Sequence, residues 1–570
     1  MDSTESIAVD GPSSCPTNIR PPVTTFSPSM WGDTFMSYSV DDQVQERYAE
    51  AIQELKEEVR RTIIADGNTK TEILILIDTL ERLGVAYHFE QEIGEKLEQI
   101  LKSDANLNMN KDEEDCDLFT IALEFRLFRR HRYHVSCGIF EKFIDEDKKF
   151  KETLNGNIEA LLSFYEATQV RIHGEDILEE AVVFTTHHLN RLVQHLGLIW
   201  NWFGPSPLQD KVMRALKQSF HRGVPRIETR HFISIYEKDE SNNESLLKLA
   251  KLDFNYLQNL YKKELFDLSR WWNEFDLKSK LSYARDRLVE CYFWGMAFHF
   301  EPQYSFVRSA VAKSMQLASI VDDTYDNYAS LEEAELFTEC LERWDINEID
   351  RLPDYMQIVY KHVLDTYEVF EIEASTRERS FAFAYAKESV KQLGRAYLKE
   401  LKWFLGRQMP NFEEYFSNTV ITSCIYLMFS ASFIGMESAS KETSDWLFSR
   451  PNMVVATAKL GRYVEDLGSH ERENKGGQML TAVECYMKQH GSSKQETLSK
   501  FIEHAEEGWK DVNAERLNIG SSIPKDIVEL FLNYTRVADI TYKNCEDGYT
   551  YPEKFLAHQI VSVLLDPIIL

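Results

Sequence analysis

The chain has 570 residues, 43% hydrophobic and 28% charged, with 64 lysines and arginines against 93 aspartates and glutamates. That length exceeds what one core serves and implies two domains, and the mixed composition excludes a low-complexity chain. A net charge of −29 excludes nucleic acid and anionic lipid surfaces as partners, because both repel an acidic protein.

Residues 1–25 are polar, rich in Ser, Thr and Pro, and predict a flexible arm. Asp2, Glu5 and Asp10 precede its arginine, Arg20, so the start fits neither an acid-poor transit peptide nor an apolar signal peptide; a cytoplasmic protein is expected. Eight cysteines without a C-x-x-C pair fit reduced, buried thiols. No run of 18 apolar residues is present, so no membrane insertion is expected.

From about residue 40, apolar residues recur at intervals of three and four, as in ERYAEAIQELKEEVRRTII (46–64) and EILILIDTLERL (72–83). No alternating strand pattern interrupts this, so the chain reads as all-α. The polar stretch Glu237–Ser245 divides it into a first helical domain, 26–240, and a second, 241–570. No fixed repeat points to a solenoid.

Within the second domain, Arg285 and Arg287 flank Asp286 and precede the apolar run LVECYFW, which ends at Trp294. Guanidinium groups at the mouth of an apolar cavity match phosphate oxygens with paired donors; a surface ion-pair cluster is the plainer alternative. Next comes SIVDDTYDNYAS (319–330), where Asp322 and Asp326 share a helix face and Asp323 lies about 100° round the axis. Carboxylates at the C-terminal end of a buried helix oppose the helix dipole and call for a cation. Isolated acidic turns ordinarily face water. Thr422, Ser423, Cys424 and Ile425 mark a helix break. In GRYVEDLGSHERENKGG (461–477), Glu465, Ser469 and Glu473 recur every four residues and offer three hard oxygen ligands on one face, with Arg462 nearby. Near the C-terminus, Tyr542, Asp547 and Tyr549 lie in ITYKNCEDGYTYPEK. Aromatic faces attract cations, although core packing is the commoner fate of a lone ring.

These segments, with RPPVTTFSPSMWGD (20–33), RLGVAYHFE (82–90), RIHGEDILEEA (171–181) and RWDINEIDRLPDYM (343–356), follow one another as in the plant terpene synthases. The chain resembles the short two-domain sesquiterpene group over nearly its whole length. The resemblance implies a non-catalytic N-terminal helical domain and a C-terminal class I terpenoid synthase-like bundle enclosing the active site. It implies three magnesium ions, replaceable by manganese, held by Asp322 and Asp326 with Asp323 in support, and by Glu465, Ser469 and Glu473. Arg285, Arg287 and Arg462 would bind the departing diphosphate. Trp294, Thr422, Ser423, Tyr542 and Tyr549 would line the pocket, and Asp547 would order the C-terminal loop.

The implied reaction is ionisation of farnesyl diphosphate to a cyclic hydrocarbon or alcohol, by a monomer with a small-molecule prenyl diphosphate as its partner. Geranyl diphosphate as substrate, a chain-elongating prenyltransferase and a catalytically decayed relative are the alternatives. Three departures stand out. Glu465 replaces the usual Asn or Asp, Gly476-Gly477 replaces an Arg-Gly pair with Lys475 one place early, and Pro21-Pro22 replace the paired arginine of monoterpene synthases. Asp145–Asp147 and Asp112–Asp115 are near misses to a D-x-D-D acid, so protonation-initiated chemistry is not expected.

Overall fold

The computed structural model describes residues 25–37, 42–65, 67–107, 117–196, 206–476 and 481–570. Nearly all of the expected arm lies outside these residues, as do Pro21, Pro22, the Asp112–Asp115 stretch, Gly477 and the side chain of Lys475. Among the described residues the chain is all-α, with one isolated bridge between Ile144 and Phe150 and no sheet.

The first eight helices are α1 (Asp42–Ile64), α2 (Lys70–Arg82), α3 (Glu90–Leu107), α4 (Leu118–Arg130), α5 (Ile158–Thr168), α6 (Asp176–Leu196), α7 (Pro207–Lys217) and α8 (Pro225–Tyr236). Their starts carry local signals. Thr69 and Glu72 form a reciprocal capping box at α2, Asp117 caps α4, and Pro207 follows the Ser206 cap of α7. Leu74, Ile77 and Leu80 of α2 bury one stripe in the N-terminal core, which Ile52, Val59 and Ile63 of α1 also enter.

The polar stretch after α8 is a turn, but packing runs across it. The next helix, α9 (Glu244–Glu274), places Leu246, Leu249 and Phe254 in the N-terminal core and Leu257, Tyr261, Leu265 and Leu268 in the C-terminal one. One rigid helix thus fixes the two domains to each other.

The C-terminal bundle continues with α10 (Leu277–Lys280), α11 (Leu288–Phe298), α12 (Ser305–Asn327), α13 (Leu331–Arg343), α14 (Asp354–Thr376) and α15 (Ser380–Leu405). It closes with α16 (Phe412–Thr422), α17 (Ile425–Gly435), α18 (Lys441–Phe448), α19 (Asn452–Gly476), α20 (Ala482–His490), α21 (Lys494–Asn518), α22 (Lys525–Thr541) and α23 (Leu556–Leu564). All of α11 is buried, which explains why its sequence is apolar all round. Phe412–Gly435 is long and apolar enough by composition to cross a membrane, but it breaks at Cys424 (φ 59°) and is 78% buried in the bundle.

Helices α11 and α12 touch through Gly295, where an added Cβ would sit 2.6 Å from the Arg308 carbonyl oxygen. Backbone cannot yield there as a side-chain tip would. Gly295→Ala is therefore expected to destabilise the protein by about 3 kcal/mol, read as a lower urea midpoint. An unchanged midpoint would show that the two helices slide apart freely.

Candidate active site

The C-terminal end of α12 carries Asp322, Asp323 and Asp326, and the C-terminal half of α19 carries Glu465, Ser469 and Glu473. All six line one cavity of about 140 Å³ inside the C-terminal bundle. The helical spacing read from the sequence accounts for each trio sharing a face.

Asp322 accepts a hydrogen bond from Arg285 Nη2 at 2.7 Å. Asp323 is buried and more fully satisfied: Arg285 donates from its backbone N (2.7 Å) and Nε (3.1 Å), and Asn327 from Nδ2 (3.2 Å). Asp326 Oδ1 is buried with no hydrogen-bond partner among the described residues. Burial pushes the Asp322 carboxyl up to about 7, against the pull of Arg285 and with a further push from Asp323. Asp326 is raised well above the carboxylate range by burial, then by Asp322 and Glu400. So much crowded negative charge, with one oxygen unanswered, favours a cation at this wall.

On the facing wall, Ser469 is 1% exposed and its Oγ is also without a partner among the described residues. Glu465 accepts from Arg462 Nη1 at 2.8 Å. The neighbouring Asp466 turns out of the cavity, fully buried, and is held by Arg462 Nη2 at 2.7 Å. Burial pushes it up to about 8. The register of α19 therefore presents Glu465, and Asp466 serves to anchor Arg462.

No three acidic, histidine or cysteine side chains among the described residues converge as a complete cage for one ion. The donors form two separated walls of hard oxygen. That set suits magnesium, which takes one or two carboxylates and completes its shell with water and phosphate oxygens.

Arg285 and Arg462 line the cavity as expected, but Arg287 does not. It is buried, and its guanidinium donates to the carbonyls of Ser27 (3.2 Å) and Thr550 (2.8 Å). In this arrangement the guanidinium makes backbone contacts away from the cavity wall, and its Nε has no partner among the described residues. Arg287 ties the N-terminal segment to the C-terminal loop.

Trp294, Thr422, Ser423, Cys424, Tyr542 and Tyr549 all reach the cavity, whereas Ile425 is buried behind it. Asp547 accepts from Thr550 N (2.8 Å) and Arg472 Nε (2.8 Å). Burial alone would raise its carboxyl, but Arg472 and the Thr550 hydrogen bonds hold it below its ordinary value. It fixes the C-terminal loop against α19.

Sequence reading missed Arg472, Glu400, Tyr397, Tyr534 and Phe26, all on the cavity wall. Arg472 was findable, since it lies three residues beyond Ser469 and so near the same face. Glu400, which accepts from Asn418 Nδ2 (2.9 Å) and Thr422 Oγ1 (3.1 Å), sits in an ordinary amphipathic helix that gives no local signal.

Residues 30–216 match the family described as "Terpene synthase, N-terminal domain", and residues 273–511 match "Terpene synthase family, metal binding domain". The chain is 52% identical to gamma-cadinene synthase of Ocimum basilicum, over 97% of this chain and 99% of that one. It is 50% identical to tau-cadinol synthase of Lavandula angustifolia, over 97% and 98%. Among solved structures, it resembles isoprene synthase of grey poplar in complex with three Mg²⁺ ions and dimethylallyl-S-thiolodiphosphate (34% identity, TM-score 0.83, covering 93% of this chain and 98% of that one). It also resembles limonene synthase with 2-fluorolinalyl diphosphate (30% identity, TM-score 0.88, 95% and 99%). With full-length relatives at this identity and both characteristic domains present in order, the chain belongs to the terpene synthase family.

Proposed function

We propose that the protein is a sesquiterpene synthase that ionises farnesyl diphosphate with magnesium, releases diphosphate and forms a cyclic hydrocarbon or alcohol. The observation that carries this reading is two facing acidic walls above an aromatic pocket, in a chain half identical to cadinene and cadinol synthases.

Bound magnesium would supply Lewis-acid neutralisation of the diphosphate, easing its departure. Asp322 and Asp326 on one side and Glu465, Ser469 and Glu473 on the other would hold the ions. The related isoprene synthase carries three, and three are inferred here, with manganese as a substitute. Arg285, Arg462 and Arg472 face the same space and now donate to carboxylates. An arriving diphosphate exchanges those partners for its own oxygens. Trp294, Tyr534, Tyr542 and Tyr549 offer ring faces to passing positive charge. Burial raises the Tyr542 and Tyr549 phenols well above their usual range, so they stay neutral and do not compete as bases. Diphosphate is left as the base that ends the reaction.

The cavity is smaller than the roughly 300–1,000 Å³ of typical small-molecule sites, so its walls must part to admit a fifteen-carbon chain. The Arg472–Asp547 pair joins α19 to the C-terminal loop and would transmit closure that excludes water.

The test is gas chromatography of the products formed from farnesyl and geranyl diphosphate, each with magnesium. Faster turnover of the geranyl ester would replace the substrate assignment, and longer diphosphates on adding isopentenyl diphosphate would replace the reaction. The Glu465 departure has its own test. Glu465→Asp shortens a side chain now aligned by Arg462, and is expected to raise the magnesium requirement several-fold, about 1 kcal/mol. An unchanged magnesium titration would remove Glu465 from the ligand set. A cytosolic monomer completes the reading, checked by a fluorescent fusion and by light scattering.

A further inference from the structure

A second, larger cavity of about 620 Å³ lies between the two helical domains. Its wall brings together Arg130 at the end of α4, Arg516 in α21 and Arg536 in α22. Arg516 and Arg536 are 3% and 5% exposed.

Two carboxylates answer these three cations. Glu529 accepts from Arg516 Nη2, and Glu81 lies 3.2 Å from Arg130 and 2.7 Å from His131. No carboxylate bonds Arg536 directly; Glu529 and Glu81 act on it only through space. Its Nε donates to the His221 carbonyl and its Nη1 to Asn533 Oδ1, both at 2.8 Å. Arg130 Nη1 and Arg516 Nε are buried with no acceptor among the described residues. Of the other acids on this wall, Glu90 pairs with Lys525 (3.1 Å), Asp526 accepts from Ser438 (2.6 Å), Glu301 lies 3.5 Å from His299 with its Oε2 lacking a hydrogen bond among the described residues, and Glu437 is exposed. Burial, followed by repulsion from Arg130, pushes the Arg536 guanidinium down to about 9.

A buried cation without a counter-ion is unfavourable, and so is a buried donor without an acceptor. A tetrahedral oxyanion would relieve both at once, since guanidinium forks match its oxygens. We propose that this interdomain cavity binds a phosphate-class oxyanion, inorganic phosphate or diphosphate, held by Arg130, Arg516 and Arg536. Occupancy would tie the first domain to α21 and α22. Helix α22 also carries Tyr534 and Ala538 of the catalytic cavity on another face, so the anion would brace that wall from behind.

The test is equilibrium dialysis of radiolabelled phosphate against the full chain without magnesium, with diphosphate run in parallel. The expected result is saturable binding that Arg536→Gln weakens about tenfold or more and that Arg462→Gln, in the catalytic cavity, leaves unchanged. Phosphate is also expected to raise the melting midpoint of the parent but not of Arg536→Gln. Tighter binding of diphosphate that survives Arg462→Gln would identify the ligand as diphosphate, and equal binding would identify a single phosphate group; both support the site. No saturable binding, or binding lost in Arg462→Gln and retained in Arg536→Gln, overturns it. Should Arg536→Gln fail to fold, Arg130→Gln at the more exposed edge is read the same way: weakened binding supports the site and undiminished binding overturns it.

Discussion

Asp326→Asn is expected to lower kcat/KM for farnesyl diphosphate by about 10³-fold, some 4 kcal/mol of transition-state stabilisation, with no loss of thermal stability. Asp326 is the most informative acidic position because one of its oxygens is buried and unanswered. Removing Asp322 would also release Arg285, so its effect would mix metal binding with collapse of an ion pair. Asparagine at 326 keeps the shape and removes the charge. Burial and the neighbouring Asp322 and Glu400 already oppose ionisation there, so the neutral variant should melt at the same temperature or higher. The sign of the pH effect follows. Asp322 and Asp326 are raised above their unfolded values, so between the ordinary carboxylate range and about 7 the folded state binds more protons than the unfolded one. Stability of the metal-free protein therefore falls as pH rises through that window, and it falls less steeply in Asp326→Asn. Paired melting curves and steady-state rates check both halves. Turnover within fivefold of the parent would mean that this wall does not hold the ions.

How much of the site was legible depended on the range of the interaction that sets it. Asp322, Asp326, Glu465, Ser469 and Glu473 are placed by helical periodicity, and periodicity is written in the sequence. The same periodicity separates Glu465 from Asp466, although both are acids. Arg285 and Arg287 carry the same local signal and part company for reasons that lie far along the chain. Arg285 meets the α12 carboxylates, while Arg287 meets carbonyls at Ser27 and Thr550. Glu400 and Tyr534 were hidden because each sits in a helix whose pattern says only that one face is buried. The domain division shows the same limit. A polar turn after α8 is readable, but the passage of α9 from one core to the other is set by packing partners on both sides.

Glu264→Gln is expected to cost about 3–5 kcal/mol, the largest stability loss of any single change considered, and to lower the melting midpoint by roughly 5 °C. Arg308 is completely buried at the start of α12, and Glu264 of α9 grips it with both oxygens, at 2.8 Å to Nε and 2.7 Å to Nη2. Tyr292 of α11 donates to the same carboxylate at 2.7 Å, so three helices meet at one charge. The carbonyls of His299 and Glu301 take Arg308 Nη1, but carbonyl dipoles do not balance a full cation. Removing the carboxylate therefore strands a charge where water cannot reach it. Replacing both partners, as Glu264→Leu with Arg308→Met, removes the charge along with its answer, and the double variant should recover most of the loss. The knot lies some 20 Å up α12 from Asp322 and Asp326, since the helix rises about 1.5 Å per residue. Its loss should consequently lower the temperature at which activity fails and leave KM at low temperature unchanged. A raised magnesium requirement in the folded Glu264→Gln protein would instead show that this distant ion pair sets the position of the acidic wall itself.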